Sequence, residues 1–224
     1  MLAARDDPAR RQHALERLCS TYWLPVYTYL RRHHQAPADA EDTTQSFFAH
    51  LLSGDFLDRP DPARGRFRSY LIGALKQFVQ HQRTHDQALK RGGAAHFVAL
   101  DALDAEGEFN AVDQPQLDPS AAYELSWAVA LIDQAQRRLE AEQRAADRAL
   151  IFTTLKPFLH APPARGDYER AAVTLGTSRA TVAVWLHRFN QRLAELVKLE
   201  VAATLENPAD AEAELQHLLH VLRR

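Results

Sequence analysis

Apolar residues recur every three to four positions along most of this 224-residue chain, the spacing that gives a helix one buried face. Glycine is scarce, with 8 residues, whereas leucine, alanine, glutamine, glutamate and arginine are abundant, a balance that favours helices. We find no segment with the alternating pattern of a half-buried strand. The sequence therefore predicts an all-α fold, and its length allows one large domain or two small ones.

Prolines and glycines mark where the predicted helices begin and end. Pro25 should kink or divide the first helix, and Pro37 suits the first turn of the second. Gly92 and Gly93 end the third helix, and residues 53–66 are predicted to be a loop. The predicted helices lie at about 13–34, 38–52, 67–90, 121–158, 168–175 and 177–193, with a last amphipathic helix after Pro208.

Each predicted helix outside residues 168–193 carries an apolar stripe that we expect to be buried. For Tyr70 of the third helix, the pattern leaves open whether the side chain is buried or exposed. The expected stripes are Leu15, Leu18, Tyr22, Val26 and Leu30; Ala40, Thr44, Phe47, Phe48 and Leu51; Leu71, Ala74 and Phe78; Leu125, Ala128, Val129, Ile132, Leu139, Leu150 and Leu155; and Leu215, Leu218, Leu219 and Leu222.

The formal net charge of −2 conceals a strong segregation of charge along the chain. Residues 59–91 contain eight Lys or Arg and two Asp, which gives this segment a net charge of +6. Residues 99–124 contain seven acidic residues and no Lys or Arg. The acidic stretch at about 95–120 has little periodicity and is predicted to be a flexible linker. Because the two charges are segregated, local charge is more informative than the total.

The single cysteine, Cys19, excludes an internal disulfide and fits a reducing compartment. The N-terminal residues lack an apolar core of signal-peptide length, and no later run reaches the length of a membrane span. We therefore expect a soluble, cytoplasmic protein that does not bind a membrane.

Two histidines give the one hint of metal chemistry in the sequence. His81 and His85 are a helical turn apart, the spacing of a zincin helix. However, Gln82 stands where that helix needs a glutamate base, and no third ligand is evident. No phosphate-binding glycine loop or Ser or Cys nucleophile motif can be found. We expect no enzymatic activity, no metal and no cofactor.

Residues 168–193 have the pattern of a helix-turn-helix. Gly176 supplies a break after a short helix, and Thr177 or Ser178 can cap the next one. A second helix that begins with small polar residues and carries arginines suits a DNA major groove. An ordinary helical hairpin packed in a core is the alternative, because this turn chemistry is common. The arginines of the second helix are Arg179, Arg188 and Arg192.

Two motifs, in this order, resemble regions of a known family. The run "DAEDTTQSFF" (39–48) is similar to region 2 of the sigma-70 family of RNA polymerase sigma factors, and "GTSRATVAVWLHR" (176–188) is similar to their region 4. The order and spacing resemble the small two-domain extracytoplasmic-function (ECF) type over residues 15–201. The resemblance implies two helical domains joined by an acidic flexible linker: a region 2-like domain at 1–94, the linker at 95–120, a helix-turn-helix domain at 121–201 and a helical extension at 202–224.

The resemblance implies a sigma factor that directs core RNA polymerase to specific promoters and initiates transcription by capturing the separated strand. The partners would be the clamp helices of the largest polymerase subunit, promoter DNA, and an anti-sigma or other regulatory protein. The implied polymerase-binding residues are Asp39, Glu41, Asp42 and Gln45. The implied minus-ten DNA contacts are Arg64, Arg66, Arg68, Tyr70, Lys76 and Arg83. The implied minus-thirty-five contacts are Ser178, Arg179, Thr181, Trp185, Arg188 and Arg192.

Each of these roles has an alternative in the residues themselves. The acids of the second helix complement a basic helical partner, or they only stabilise a helix N-terminus and favour solubility. Aromatic residues of the third helix, such as Tyr70, stack on bases or face the core. The alternative function is a helix-turn-helix DNA-binding transcriptional regulator that does not engage polymerase.

The chain also departs from the family pattern. Ala183, Trp185, Asn190 and Gln191 lie at or near positions where Lys or Arg is usual, so duplex binding and its salt dependence should be weakened. The extension after residue 201 carries several acids and has three alternative roles: it packs on the last domain, binds a regulator or masks the basic surface. These acids are Glu206, Asp210, Glu212 and Glu214.

Overall fold

The computed structural model describes residues 8–53, 66–86, 105–112, 116–205 and 207–223. Within these residues the chain forms helices and turns and contains no strand, so the all-α prediction is confirmed. In the same residues, no helix is long and apolar enough to cross a membrane. The helices are α1 (Pro8–Arg32), α2 (Pro37–Ser53), α3 (Phe67–Asp86), α4 (Ala105–Val112), α5 (Pro119–Ala145), α6 (Ala149–Leu155), α7 (Pro157–His160), α8 (Asp167–Thr174), α9 (Arg179–Ala203) and α10 (Ala211–Leu222).

Contacts divide the chain into two compact units. The first unit is Met1–Ala130 with Thr204–Arg224, and the second unit is Leu131–Ala203. The predicted boundaries differ from this division because the start of α5 belongs to the first unit. There the buried Tyr123 hydroxyl donates to the Arg68 carbonyl at 3.2 Å, and the Thr28 hydroxyl lies 3.3 Å from that of Ser126. The extension after residue 203 also belongs to the first unit.

Helices α1, α2 and α3 supply much of the core of the first unit. The predicted stripe of α2 is confirmed, since Ala40, Thr44, Phe47, Phe48 and Leu51 are all buried. The Phe47 and Phe78 rings lie with centroids 5.4 Å apart, which packs α2 against α3. Phe78 is only half-buried, whereas Leu71 is buried as predicted. Pro25 lies inside α1 and does not divide it.

The predicted linker is not wholly without structure, because it contains α4. Phe109 of this helix is buried beside the Tyr27 ring. The Tyr27 hydroxyl donates to Glu106 at 2.6 Å, and the Arg31 guanidinium donates to the same carboxylate at 2.7 Å. The hydrogen bond from Arg31 lowers the pKa of Glu106, so this acid stays charged against α1. Glu106 of the predicted linker therefore pairs within the first unit. Residues 95–104 and 113–115 lie outside the described part.

The second unit packs α5, α6, α8 and α9 around one apolar cluster. Leu150 is an exception to prediction, because its side chain is 64% exposed. The predicted helix at 121–158 is broken at residues 146–148, where Asp147 has a φ of +56°. This break resets the helical phase, which turns Leu150 outward at the start of α6. The buried cluster consists of Ala135, Leu139, Phe152, Leu155, Ala171, Ala172, Val182, Phe189 and Leu196.

The buried face of α10 is rotated from the predicted one. Leu218 is buried as expected, but Leu219 and Leu222 are exposed. Glu214 and Val221 take their places on the buried face. An apolar stripe alone does not predict this rotation, because the glutamate pairs with Arg68 of α3 and with Arg66, which precedes that helix.

Candidate protein-binding and nucleic-acid-binding surfaces

The structure brings the four predicted polymerase-binding residues to one exposed side of α2. Their side chains lie outside the buried stripe that contains Phe47 and Phe48, because that stripe recurs every three to four residues and these four positions fall between its members. The helix contains three acids and no Lys or Arg, so this side is anionic. The exposed residues are Asp39, Glu41, Asp42 and Gln45.

The six predicted minus-ten contacts do not form one exposed surface. Lys76 is exposed on α3, and Tyr70 is half-buried with its ring centroid 6.4 Å from that of Phe67. Arg83 lies in α3, but its side chain is outside the described part, as is the whole of Arg64. The remaining two, Arg66 and Arg68, are engaged by carboxylates.

Arg68 is buried, which corrects its expected place on an exposed cationic surface. Its side chain is 4% exposed and donates from Nε to Glu214 of α10 at 2.5 Å. A second carboxylate, Glu124 of α5, accepts from Nη1, and the guanidinium lies 5.1 Å from the centre of the Trp127 ring. Arg68 points inward because it is three residues before Leu71, on the same face of α3.

The two carboxylates keep this buried guanidinium charged. Burial by itself lowers the pKa of Arg68, but the hydrogen bond and charge of Glu214, together with those of Glu124, raise it overall. Arg66 pairs with the same Glu214 at 2.8 Å, and its own side chain is 34% exposed. A phosphate reaching this site would therefore compete with Glu214 for both guanidinium groups.

Neither partner of Arg68 was predicted to contact it, although Glu214 is one of the extension acids for which masking of the basic surface is an alternative. Glu214 is 1% exposed, and Glu124 also contacts His217 Nε2 at 2.8 Å. A signal for Glu214 exists in the sequence, because it lies four residues before Leu218 and seven before Val221. Those spacings place Glu214 on the apolar face of α10, where an acid requires a buried partner.

The turn between α8 and α9 matches the predicted residues closely. Gly176 has a φ of +60°, and its amide donates to the Val173 carbonyl at 3.2 Å. The next amide, of Thr177, donates to the Ala172 carbonyl at 2.9 Å, which completes a Schellman motif. Ser178 caps α9, since its hydroxyl accepts from the Thr181 amide at 3.1 Å.

Replacing Gly176 with alanine should destabilise the second unit by about 1 kcal/mol, because a side chain disfavours the left-handed backbone. The cost is conformational alone, since a Cβ there meets nothing within 4 Å. Gly73→Ala is the matched control: that glycine is exposed within α3, and alanine should stabilise it by up to about 1 kcal/mol. Urea unfolding checks both, and a neutral Gly176→Ala would contradict the assignment of the turn.

The predicted minus-thirty-five contacts lie on α9 in different environments. Arg179 is exposed, 3.3 Å from Glu169 and with its guanidinium 6.0 Å from the centre of the Tyr168 ring. Trp185 is half-buried against the core cluster, and Arg188 is exposed. The Thr181 hydroxyl bonds with that of Ser178 at 2.9 Å.

Arg192 is already neutralised by two acids. It contacts Glu142 at 2.7 Å and Glu195 at 2.8 Å, and these hydrogen bonds raise its pKa. The side of α9 that faces away from the core carries the exposed Arg179, Arg188 and Lys198 among mostly uncharged residues. Its exposed residues include Ala180, Ala183, Val184, His187, Asn190 and Gln191.

Comparison with protein-family models, curated proteins and solved structures finds no match for this chain.

Proposed function

We propose that the chain is a sigma factor of the extracytoplasmic-function type, which brings core RNA polymerase to promoters and holds the separated strand. The observation that carries this proposal is the surface of α2. Asp39 and Asp42 are exposed on it, outside the stripe of buried aromatic residues, in a helix that lacks Lys and Arg. A rigid anionic helix of this kind complements a basic helical partner such as the polymerase clamp helices.

The α8–α9 pair supports the minus-thirty-five part of the proposal. A Schellman turn at Gly176 and a capped second helix suit a helix-turn-helix, with α9 as the recognition helix. Arg179 is the best candidate to read a base edge, because it opens α9 and its fork of donors suits guanine. Contacts to Tyr168 and Glu169 orient its guanidinium.

Strand capture would rest on α3. Lys76 provides an exposed cation for phosphate, and Tyr70 is an aromatic residue that is only half-buried. A base stacked on an aromatic ring contributes on the order of 1–3 kcal/mol. The polymerase supplies all of the chemistry. The role of this chain is to bring core polymerase to the promoter and to hold the separated strand.

Two measurements test the proposal directly. The full chain and purified core polymerase should co-elute on size exclusion at low ionic strength. The mixture, and not core polymerase alone, should start transcripts at defined 5′ ends on a pool of genomic fragments. Failure of the chain to bind core polymerase at low salt would overturn the proposal.

A DNA-binding regulator that does not engage polymerase is the second candidate. The α8–α9 turn favours it equally, because this turn is complete without any contribution from α2. Under that function the chain binds duplex DNA but leaves core polymerase unbound. The acids of α2 therefore separate the two candidates.

Arg188 should carry more duplex affinity than Arg192. Within the described residues Arg188 has no carboxylate partner, so Arg188→Ala should lower the slope of log affinity against log salt by about 1. Arg192→Ala should change that slope little, because Glu142 and Glu195 already neutralise the arginine. Binding of labelled duplex DNA across a salt series measures both, and equal slopes for the two variants would contradict the assignment.

A further inference from the structure

Helix α10 places one carboxylate where nucleic-acid phosphate would have to bind. Glu214 contacts Arg68 at 2.5 Å and Arg66 at 2.8 Å, and both arginines were predicted to contact the minus-ten strand. The helix has two acids, Glu212 and Glu214, and no Lys or Arg. The carboxylate of Glu214 therefore pairs with these arginines as a phosphate group of a nucleic acid would.

The attachment of α10 depends strongly on this pairing. Leu218 and Val221 are the fully buried apolar residues of the helix, whereas Leu215 is half-buried and Leu219 and Leu222 are 37% and 36% exposed. Two aliphatic side chains give a small apolar contribution for a helix of 12 residues. The ion pairs of Glu214 and the contact of His217 with Glu124 complete the attachment. Another anion that satisfies the arginines removes much of what holds α10.

We propose that α10 is a releasable latch over the nucleic-acid-binding surface of α3, with single-stranded nucleic acid as its competitor. When α10 is docked, Glu214 occupies the two guanidinium groups. When α10 is released, Arg66 is free, and Arg68 keeps only Glu124. The proposal rests on the proposed function, since it assigns a regulator to the strand-capturing surface. Only released molecules bind nucleic acid at this surface. The apparent affinity is therefore the intrinsic affinity multiplied by the fraction of molecules in which α10 is released.

The test uses two matched double variants of the full chain. Leu218→Asp/Val221→Asp places charge on the buried side of α10 and should release it. Ala213→Asp/Gln216→Asp adds the same charge to the exposed side and should leave it docked. Both variants gain two negative charges, so simple electrostatics would weaken their binding to DNA equally.

Fluorescein-labelled single-stranded DNA of mixed sequence is the probe. The released variant should bind it at least about tenfold more tightly than the matched control. Hydrogen exchange should be faster in α10 and unchanged in α1 and α2. Equal affinities, or an α10 that remains protected in the released variant, would overturn the latch.

A measurement on the unmodified chain keeps the test independent of variant folding. Saturating single-stranded DNA should accelerate exchange of α10 amides by about tenfold, because phosphate displaces Glu214. Unchanged or slower exchange in α10 would overturn the proposal. Binding of core polymerase is measured on the same samples: if core binds but DNA does not mobilise α10, the latch fails and the sigma-factor function stands. If core does not bind, the proposed function fails whatever α10 does.

Discussion

The double substitution Asp39→Arg/Asp42→Arg should weaken binding of the chain to core RNA polymerase by at least about 100-fold. Each reversal turns an attraction to a basic partner helix into a repulsion, and close interfacial charge pairs are coupled by about 1.5 kcal/mol or more. Two such losses give about 3 kcal/mol, which corresponds to the stated factor. Fluorescence titration of labelled chain with core polymerase measures it.

A matched control separates this effect from helix stability. Asp210→Arg/Glu212→Arg also reverses two exposed acids at the N-terminus of a helix in the first unit, so the cost to the helix dipole is similar. That control should bind core polymerase as well as the unmodified chain does. Equal losses in both variants would indicate a non-specific charge effect, and no loss in either would favour the regulator that does not engage polymerase.

Most of the α2 surface could be predicted from sequence, and physical reasons explain why. Its buried residues recur at helical spacing, and the acids fall outside that stripe, where no tertiary partner among the described residues rearranges them. The turn at Gly176 was equally local. Both features are fixed by contacts between residues only a few positions apart, which a single sequence records directly.

The environment of Arg68 could not be predicted in the same way, because its partners are remote in the sequence. Glu124 and Glu214 are 56 and 146 residues away. A basic residue among many in a segment of net positive charge suggested phosphate contact. Only the fold shows that α5 and α10 bring carboxylates to it. The position of Arg68 three residues before Leu71 indicates that Arg68 lies on the buried face of α3.

In the acidic segment and in the extension, contacts within the first unit also change what the sequence predicts. The low periodicity of residues 95–120 did not predict α4, in which Phe109 and Glu106 contact α1. In α10 a single glutamate changes which side is buried. Charge in this chain therefore acts within the first unit as well as toward partners, so an average over a segment overestimates the cations available to nucleic acid.

Arg68→Met should release α10 without unfolding the first unit. The substitution leaves Glu214, 1% exposed, with only the half-exposed Arg66 as a partner, and an acid buried in this way costs about 3 kcal/mol or more. Detachment of α10 returns the carboxylate to water and relieves that cost. Exchange of α10 amides should therefore accelerate by about 100-fold, while α1 and α2 stay protected.

Two further variants make this expectation specific to the buried pair. Arg68→Met/Glu214→Met removes both charges and should restore most of the protection of α10, because an apolar pair of similar volume replaces a buried ion pair at little cost. Arg66→Met removes the more exposed partner of Glu214 and should accelerate exchange by less than about tenfold, since such pairs contribute up to about 1 kcal/mol. If the double variant exchanges as fast as Arg68→Met, the release comes from lost packing around Trp127, and the ion pair with Glu214 is not what holds α10.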